Sequence, residues 1–323
     1  MGKRRIRNLL KLGFSDIIGF DPRPDRRKEA FQKYKIKTVS NIEDGLKYMP
    51  KIMIISTPPD LHYKYADLAI KKNINFFTEV NLSSIDVRKI IEKLKHKSIV
   101  AYPSCTTLYN PVVMKLREMI KKKHIGRILT VYHHFGHYLP NWHPWENYKD
   151  FYVSKKETGA AREVVPFELV WITSLFSKID SVYGQISKIS KLDANIDDIY
   201  EIFIKFRNGI HCTLIIDVLS KVAFSETKII GEDGVIFCDH NSGVIKLNNG
   251  KKWRVAKLQM GKIAKGYKGN TGSELLYERE IKIFLDAVIK KKKYPHSFND
   301  ELELLEILDK IEISNRKERK IKI

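Results

Sequence analysis

Two residues near the start of the chain have the types and spacing of a nucleotide grip. Gly2 opens a helical pattern, and Asp21 closes the short apolar run DIIGFD about 20 residues further on. A glycine at a helix start fits where close helix–strand packing excludes a side chain, and an acid at a strand tip accepts hydrogen bonds from ribose hydroxyls. That pair is what a dinucleotide-binding unit sets around adenosine. A second group lies mid-chain, in YLPNWHPWENYKDFY at 138–152. Trp142 and Trp145 offer ring faces that can stack on a sugar, and His143 offers a proton that moves near neutral pH. The helical pattern that follows presents Arg162, suited to a carboxylate or phosphate, with Glu163 and Glu168 beside it.

Other candidates carry less. His133, His134 and His137 lie on a strand pattern that turns the first two to opposite faces, and no acid accompanies them at ligand spacing. Cys105, Cys212 and Cys238 are far apart and fit no metal-ligand spacing, so buried free thiols are expected. No metal site is expected anywhere in the chain.

The elements that must hold these residues change character along the sequence. Ile6, Leu9 and Leu10 form a helical stripe ended by Gly13, and Asp16–Asp21 reads as a buried parallel strand. KIMIISTPP, NINFFTEV and SIVAYPS read as further strands. They alternate with a helix to about Lys72, capped by Asp60, and with another over 84–96. Strands and helices in that order imply a parallel, doubly wound sheet. Beyond about residue 125, long alternating segments appear at Ile128–Tyr138, Ser181–Ile189, Ile199–Phe206, His211–Leu219 and Thr227–Asp239. Turns such as Arg207–Asn208–Gly209 join them, and one long helix interrupts them near Ala160–Phe176. Two amphipathic helices close the chain, with stripes Tyr277, Ile281, Phe284, Leu285, Val288 and Leu304, Leu305, Leu308, Ile311. The reading is an α/β Rossmann-like domain over 1–106, and over 107–323 an α+β domain with a mostly antiparallel, open-faced sheet.

Composition narrows the class. With 43% hydrophobic residues in 323, the chain can bury two cores. No apolar run approaches the roughly 20 residues that span a bilayer, and no signal core follows the basic start, so a cytoplasmic protein without membrane contact is expected. The net charge of +21 comes from scattered clusters rather than one basic stripe interleaved with aromatics. A lysine-rich solvated surface explains it better than a specific nucleic-acid site.

A dinucleotide fold ordinarily opens with a strand and G-x-G-x-x-G; here Met1 and Gly2 stand directly before the helix. The first strand and the first two glycines are therefore expected to be absent, as from a truncated start. The segments STPPDLHYKYADLAIKKN, FFTEV, PSCTTLYNP, ETGAAREVVPFELVWITSLFS and ETKIIGEDGVI, taken in this order, resemble the glucose–fructose oxidoreductase/inositol dehydrogenase (Gfo/Idh/MocA) family, and the resemblance extends over essentially the whole chain.

The resemblance implies a cofactor-side role for Ser56, Thr57, Pro58, His62 and Glu79, alongside Gly2, Asp21 and Arg23. It also implies that the 138–152 loop borders a substrate pocket, with Trp142, Trp145, Arg162 and Glu168 toward the substrate and His143 and Glu163 as acid/base candidates. In that family a lysine and a helix histidine move the proton. The matching positions here are Val80 and Phe167, and the helix aspartate becomes Glu163. The expected activity is NAD(P)-dependent oxidation or reduction of a sugar, sugar acid or nucleotide-sugar by a homo-oligomer. NAD is favoured over NADP by Asp21. The alternative is a nucleotide-binding sensor or scaffold without turnover.

Overall fold

The computed structural model describes residues 1–265 and 272–323. They form two compact units: Met1–Ser104 with Tyr277–Glu301, and Cys105–Leu276 with Leu302–Ile323. The first unit runs to Ser104, and the chain returns to it at Tyr277. It returns because that segment completes the first core: Phe284 packs on Phe77 and Phe298 on Phe76, with ring centroids 5.3 and 5.7 Å apart. Amphipathicity marks these helices as covering something; it does not say which core they cover.

All pairings within the first unit are parallel, as the alternation of strands and helices requires. The strands fall into two separate sheets. Ile18–Phe20 pairs with Lys37–Val39, while Ile52–Ile55, Asn75–Thr78 and Ala101–Pro103 form the other. Among the described residues no strand joins Ile18–Phe20 to Ile52–Ile55. Phe76, Phe77 and Thr78 are buried, whereas Ile18–Phe20 and Ile52–Ile54 are half-buried.

The first helix, Gly2–Lys11, overturns its own stripe. Its buried residues are Arg4, Arg5 and Asn8, and Ile6, Leu9 and Leu10 are half-buried. Charged partners decide this: Arg5 is paired with Glu79 and Glu280. The helix His62–Lys71 follows a 3-10 turn at Pro59–Leu61, so its N-cap position falls on Leu61 rather than on Asp60. Ser83 caps the next helix, Ser84–Leu94, by accepting from the Asp86 amide.

The second unit carries one nine-stranded sheet, antiparallel throughout except where Ile128–Gly136 runs parallel to His211–Asp217. The segment Thr227–Asp239 is a hairpin of the strands Phe224–Gly231 and Gly234–Asp239, folded back on each other at the turn over 231–234. Val244–Asn248 and Trp253–Lys257 extend the sheet beyond what the sequence pattern shows. One face packs against the helix Ala160–Phe176 and the last helix, Phe298–Lys317, where Gly184 on the sheet meets Ile311 so closely that a Cβ would lie 2.7 Å from its side chain. On the other face, Phe237, Lys228, Tyr132, Thr213, Phe203 and Tyr183 lie in one cross-strand row. Phe203 is 52% and Tyr132 46% exposed. No helix among the described residues is long and apolar enough to cross a membrane.

Candidate functional site

In the first unit the candidate groups gather at the carboxyl ends of the parallel strands, where open α/β sheets bind ligands. Asp21 follows Ile18–Phe20, and its Oδ1 accepts from the Arg23 amide at 2.9 Å. Its Oδ2 lies 3.9 Å from Arg26, and the carboxylate keeps about a third of its surface in solvent. Arg23 is already matched: its guanidinium grips both oxygens of Asp25 at 3.1 and 2.7 Å. That hydrogen-bonded cation holds Asp25 down at about 2.

The start of the Gly2–Lys11 helix has no side-chain cap and no acid in its first turn, which leaves it suited to an anion. Lys3 pairs with Glu29 at 2.8 Å, and the Met1 amine feels the charge of Arg26, so the helix start and the Asp21 tip share neighbours. Gly2 itself is not held by tight packing. A Cβ there would meet nothing within 4 Å, which corrects the expectation of close helix–strand contact.

Ser56, Thr57 and Pro58 follow the strand Ile52–Ile55; Glu79, Val80 and Asn81 follow Asn75–Thr78. Two buried networks fix these neighbouring ends. In one, Arg5 forms a two-pronged bond to Glu79, Nε to Oε1 and Nη2 to Oε2, both 2.8 Å, and Nη2 also reaches Glu280 Oε2 at 2.7 Å. Ser56 donates to Glu79 and Ser104 to Glu280. Burial by itself would push the Glu79 carboxyl up, but the Arg5 charge and hydrogen bonds outweigh it and hold the group below its ordinary value. An arginine enters an interior only against such partners, which is why Arg5 displaces the apolar stripe of its helix.

In the other network, the Asn81 amide donates to Glu301 Oε1 at 2.9 Å, and His296 Nε2 lies 2.8 Å from Glu301 Oε2. His62 bridges Asn81 and the Thr57 carbonyl. Val80 is buried and has no proton to give. The Thr57 hydroxyl oxygen is buried without a hydrogen-bond partner, an unfilled donor or acceptor at a strand end.

In the second unit, the long helix begins at Gly159, where a Cβ would lie 2.3 and 2.5 Å from the carbonyl oxygens of Lys155 and Val153. Only glycine allows the preceding turn to fold that closely, and the turn brings Tyr152 to the first turn of the helix. The Tyr152 hydroxyl donates to Glu163 Oε1 at 3.0 Å, while Glu163 Oε2 is buried without a partner. Burial pushes this carboxyl up to about 7, against the smaller opposing pull of the tyrosine.

Arg162, by contrast, is tied inside the unit, its Nε 2.6 Å from Glu312 Oε1 and its Nη1 donating to the Glu157 carbonyl. Glu168 lies in the core, accepting from the Trp171 indole and contacting His133 Nε2 at 2.9 Å. His133 in turn shares the Thr227 hydroxyl with His240. The structure therefore brings Tyr152 and Glu163 together and gives Arg162 and Glu168 structural partners. Phe167 is half-buried, and its carbonyl accepts from Thr107.

The aromatic loop stacks on itself. The His143 ring lies nearly parallel to Trp145 and Phe151, with centroids 5.0 and 4.9 Å away, and its Nδ1 is 3.6 Å from Glu146. Trp145 is 49% exposed; Trp142 is half-buried with its indole N–H unpartnered, 5.7 Å from His137 between ring centroids. His134 contacts Asp217 at 2.7 Å on the sheet. Among the described residues no cluster of three or more His, Cys, Asp or Glu could hold a metal ion. The three cysteines are buried thiols, and burial pushes Cys212 up to about 12.

Sequence reasoning missed Tyr152, Arg5, Glu280, Asn81 and Glu301. A signal existed for some of them. Glu280 sits within the apolar stripe of its helix, and Arg4, Arg5 and Asn8 share one face of theirs.

Comparisons bear on what this arrangement is similar to. Residues 113–237 match the model of the GFO/IDH/MocA C-terminal domain. No curated protein matches the chain. Among solved structures, a levoglucosan dehydrogenase in complex with NADH and levoglucosan is 17% identical with a TM-score of 0.84, covering 100% of this chain and 97% of that one. The WlbA dehydrogenase from Bordetella pertussis, in complex with NADH and UDP-GlcNAcA, is 15% identical at a TM-score of 0.80, with 100% and 95% covered. An oxidoreductase from Agrobacterium radiobacter, in complex with NAD+, L-tartaric acid and magnesium, is 11% identical at 0.80, with 94% and 90% covered. At such identities the likeness is one of fold.

Proposed function

Through residues 113–237 this chain belongs to the GFO/IDH/MocA family, and on that premise we propose that it is an NAD-dependent oxidoreductase acting on a sugar, sugar acid or nucleotide-sugar. The observation that carries the reading is Glu163, a half-buried carboxyl at about 7 with one oxygen bonded to Tyr152 and the other open. A group that titrates near neutrality both takes and returns a proton efficiently. Val80 and Phe167 can do neither, so the proton falls to Glu163, with Tyr152 steadying its charged form.

The residues present in the first unit fit a dinucleotide. Asp21, half-exposed at a strand tip, would hold the ribose hydroxyls, and its charge disfavours the 2′-phosphate of NADP. The uncapped helix start at Gly2 would face the pyrophosphate. The Thr57 hydroxyl, with Ser56, Pro58, His62 and Glu79 around it, would serve the nicotinamide side. NAD, when bound, supplies the hydride chemistry. Trp145 offers an exposed ring to a sugar, with Trp142 behind it, and His143 is a second acid/base candidate. Arg162 and Glu168 would act on the substrate only by holding the Glu163 helix in place.

The second reading, a nucleotide-binding sensor without turnover, is favoured by the apolar Val80 and Phe167. Fluorescence titration with NADH, followed by its oxidation against a panel of sugar-derived carbonyls, separates the two. An enzyme turns over one of them, and Glu163→Gln lowers kcat by on the order of 100-fold or more while leaving NADH binding intact. Binding without turnover across the panel supports the sensor. An unchanged rate in Glu163→Gln, with loss in His143→Ala, transfers the proton to His143.

A further inference from the structure

His62 faces more acceptors than a neutral imidazole can serve. Its Nδ1 lies 3.2 Å from Asn81 Oδ1 and its Nε2 lies 3.0 Å from the Thr57 carbonyl oxygen, with the ring buried. Neutral imidazole has one N–H, so one of these contacts would set a lone pair against an oxygen. The Asn81 carboxamide cannot simply turn over. Its Nδ2 donates to Thr78 Oγ1 at 3.0 Å and faces Glu301 Oε1 at 3.3 Å. The reversed amide would press its oxygen on a buried carboxylate. Only imidazolium satisfies both contacts.

The charges facing the ring fit that state. Glu301 approaches from the last helix; its own contact to His296 needs only the single N–H of a neutral ring. Glu79 approaches from the strand end and is already matched by Arg5. The helix Ser84–Leu94 meets the His62 helix through Lys89 at Tyr63 and Lys93 at Asp67, away from the imidazole.

We infer that His62 is a proton-operated clamp on the Ser56–Pro58 loop. Protonated, the ring ties the Thr57 carbonyl to Asn81; on losing its proton to water it must give up one of the two. Burial pulls its pKa below the ordinary histidine value, so the release falls on the acid side of neutrality. The loop is held in acid and loosened as pH rises. The consequence for cofactor affinity, though not the clamp, rests on the reading of this loop as part of a dinucleotide site.

The test follows the wild-type chain by NMR with ¹⁵N in histidine rings and backbone amides, between about pH 5 and pH 8. The expected result is two protonated nitrogens on His62 at the acid end and one at the other, with the Thr57 and Asn81 amides shifting at the same midpoint. A His62 that titrates without moving those amides, or that keeps one protonation state throughout, overturns the clamp. In parallel, NADH affinity is expected to fall roughly tenfold through the midpoint in the wild type and to stay level in His62→Gln. A coupled NMR transition with no NADH binding at any pH keeps the clamp and removes the dinucleotide reading. Equal pH dependence of binding in both proteins removes the clamp's role in affinity.

Discussion

At the scale of single residues, the chemistry rests on one bond and one open oxygen. Tyr152 donates to Glu163 Oε1, and this bond opposes the upward push of burial. Tyr152→Phe removes that opposition, so the pH–rate profile for kcat/KM should move to higher pH, by roughly one unit, with the maximum rate less affected. An unmoved profile assigns the titration to another group. The same carboxyl gives a sign to stability. Its folded-state pKa of about 7 stands above the unfolded value of 4.5. The native state therefore holds more protons between those values, and stability falls as pH rises from about 4.5 to about 7, then levels. Urea midpoints across that window should show the slope in the wild type and a flatter line in Glu163→Gln. None of this is legible in the sequence, where Glu163 is one acid among 38 acidic residues and its burial is not encoded locally.

At the scale of elements, the first helix, the end of the strand Asn75–Thr78 and the helix Glu274–Lys290 meet through Arg5, Glu79 and Glu280. Arg5 is 2% exposed and also lies over the Phe77 ring, 4.7 Å from its centroid. Replacing it by leucine leaves two buried carboxylates without their cation. Arg5→Leu should lose about 3–5 kcal/mol of stability, read from the denaturation midpoint, and Glu79→Gln should recover part of that loss in the double variant. Additive losses would show that the two groups do not act as a pair. The long helix and most of the second-unit strands are legible from periodicity, because burial of one face repeats along each of them. The helices Pro24–Tyr34 and Pro111–Lys121 were not, since their apolar positions are few or continuous rather than striped.

At the scale of the whole molecule, the second unit carries an exposed sheet face that includes Phe203, Tyr132 and Phe237. Its row of Phe237, Lys228, Tyr132, Thr213, Phe203 and Tyr183 lies beside a row carrying Asp239, Glu226, His134 and Glu201. Adjacent basic–aromatic and acidic rows are complementary to themselves when one copy is turned half a revolution on another. We therefore expect a homo-oligomer through this face. Tyr132→Asp combined with Phe203→Asp should shift the mass in sedimentation toward a single chain without changing the far-ultraviolet dichroism; a wild type that already sediments as a monomer removes the proposal. The +21 charge adds a salt-dependent affinity for polyanions that should vanish near physiological ionic strength.

The sequence by itself determined the class of each unit, the order of strands and helices, and the candidate acid at a strand tip, because hydrophobic period and turn residues act over a few neighbours. Tertiary structure alone decided which of the candidate charges face each other. Arg5 finds Glu280 across 275 positions and Asn81 finds Glu301 across 220. A charge's partner, burial and proton affinity are set by what the fold brings within a few ångströms, and no pattern along the chain encodes that distance.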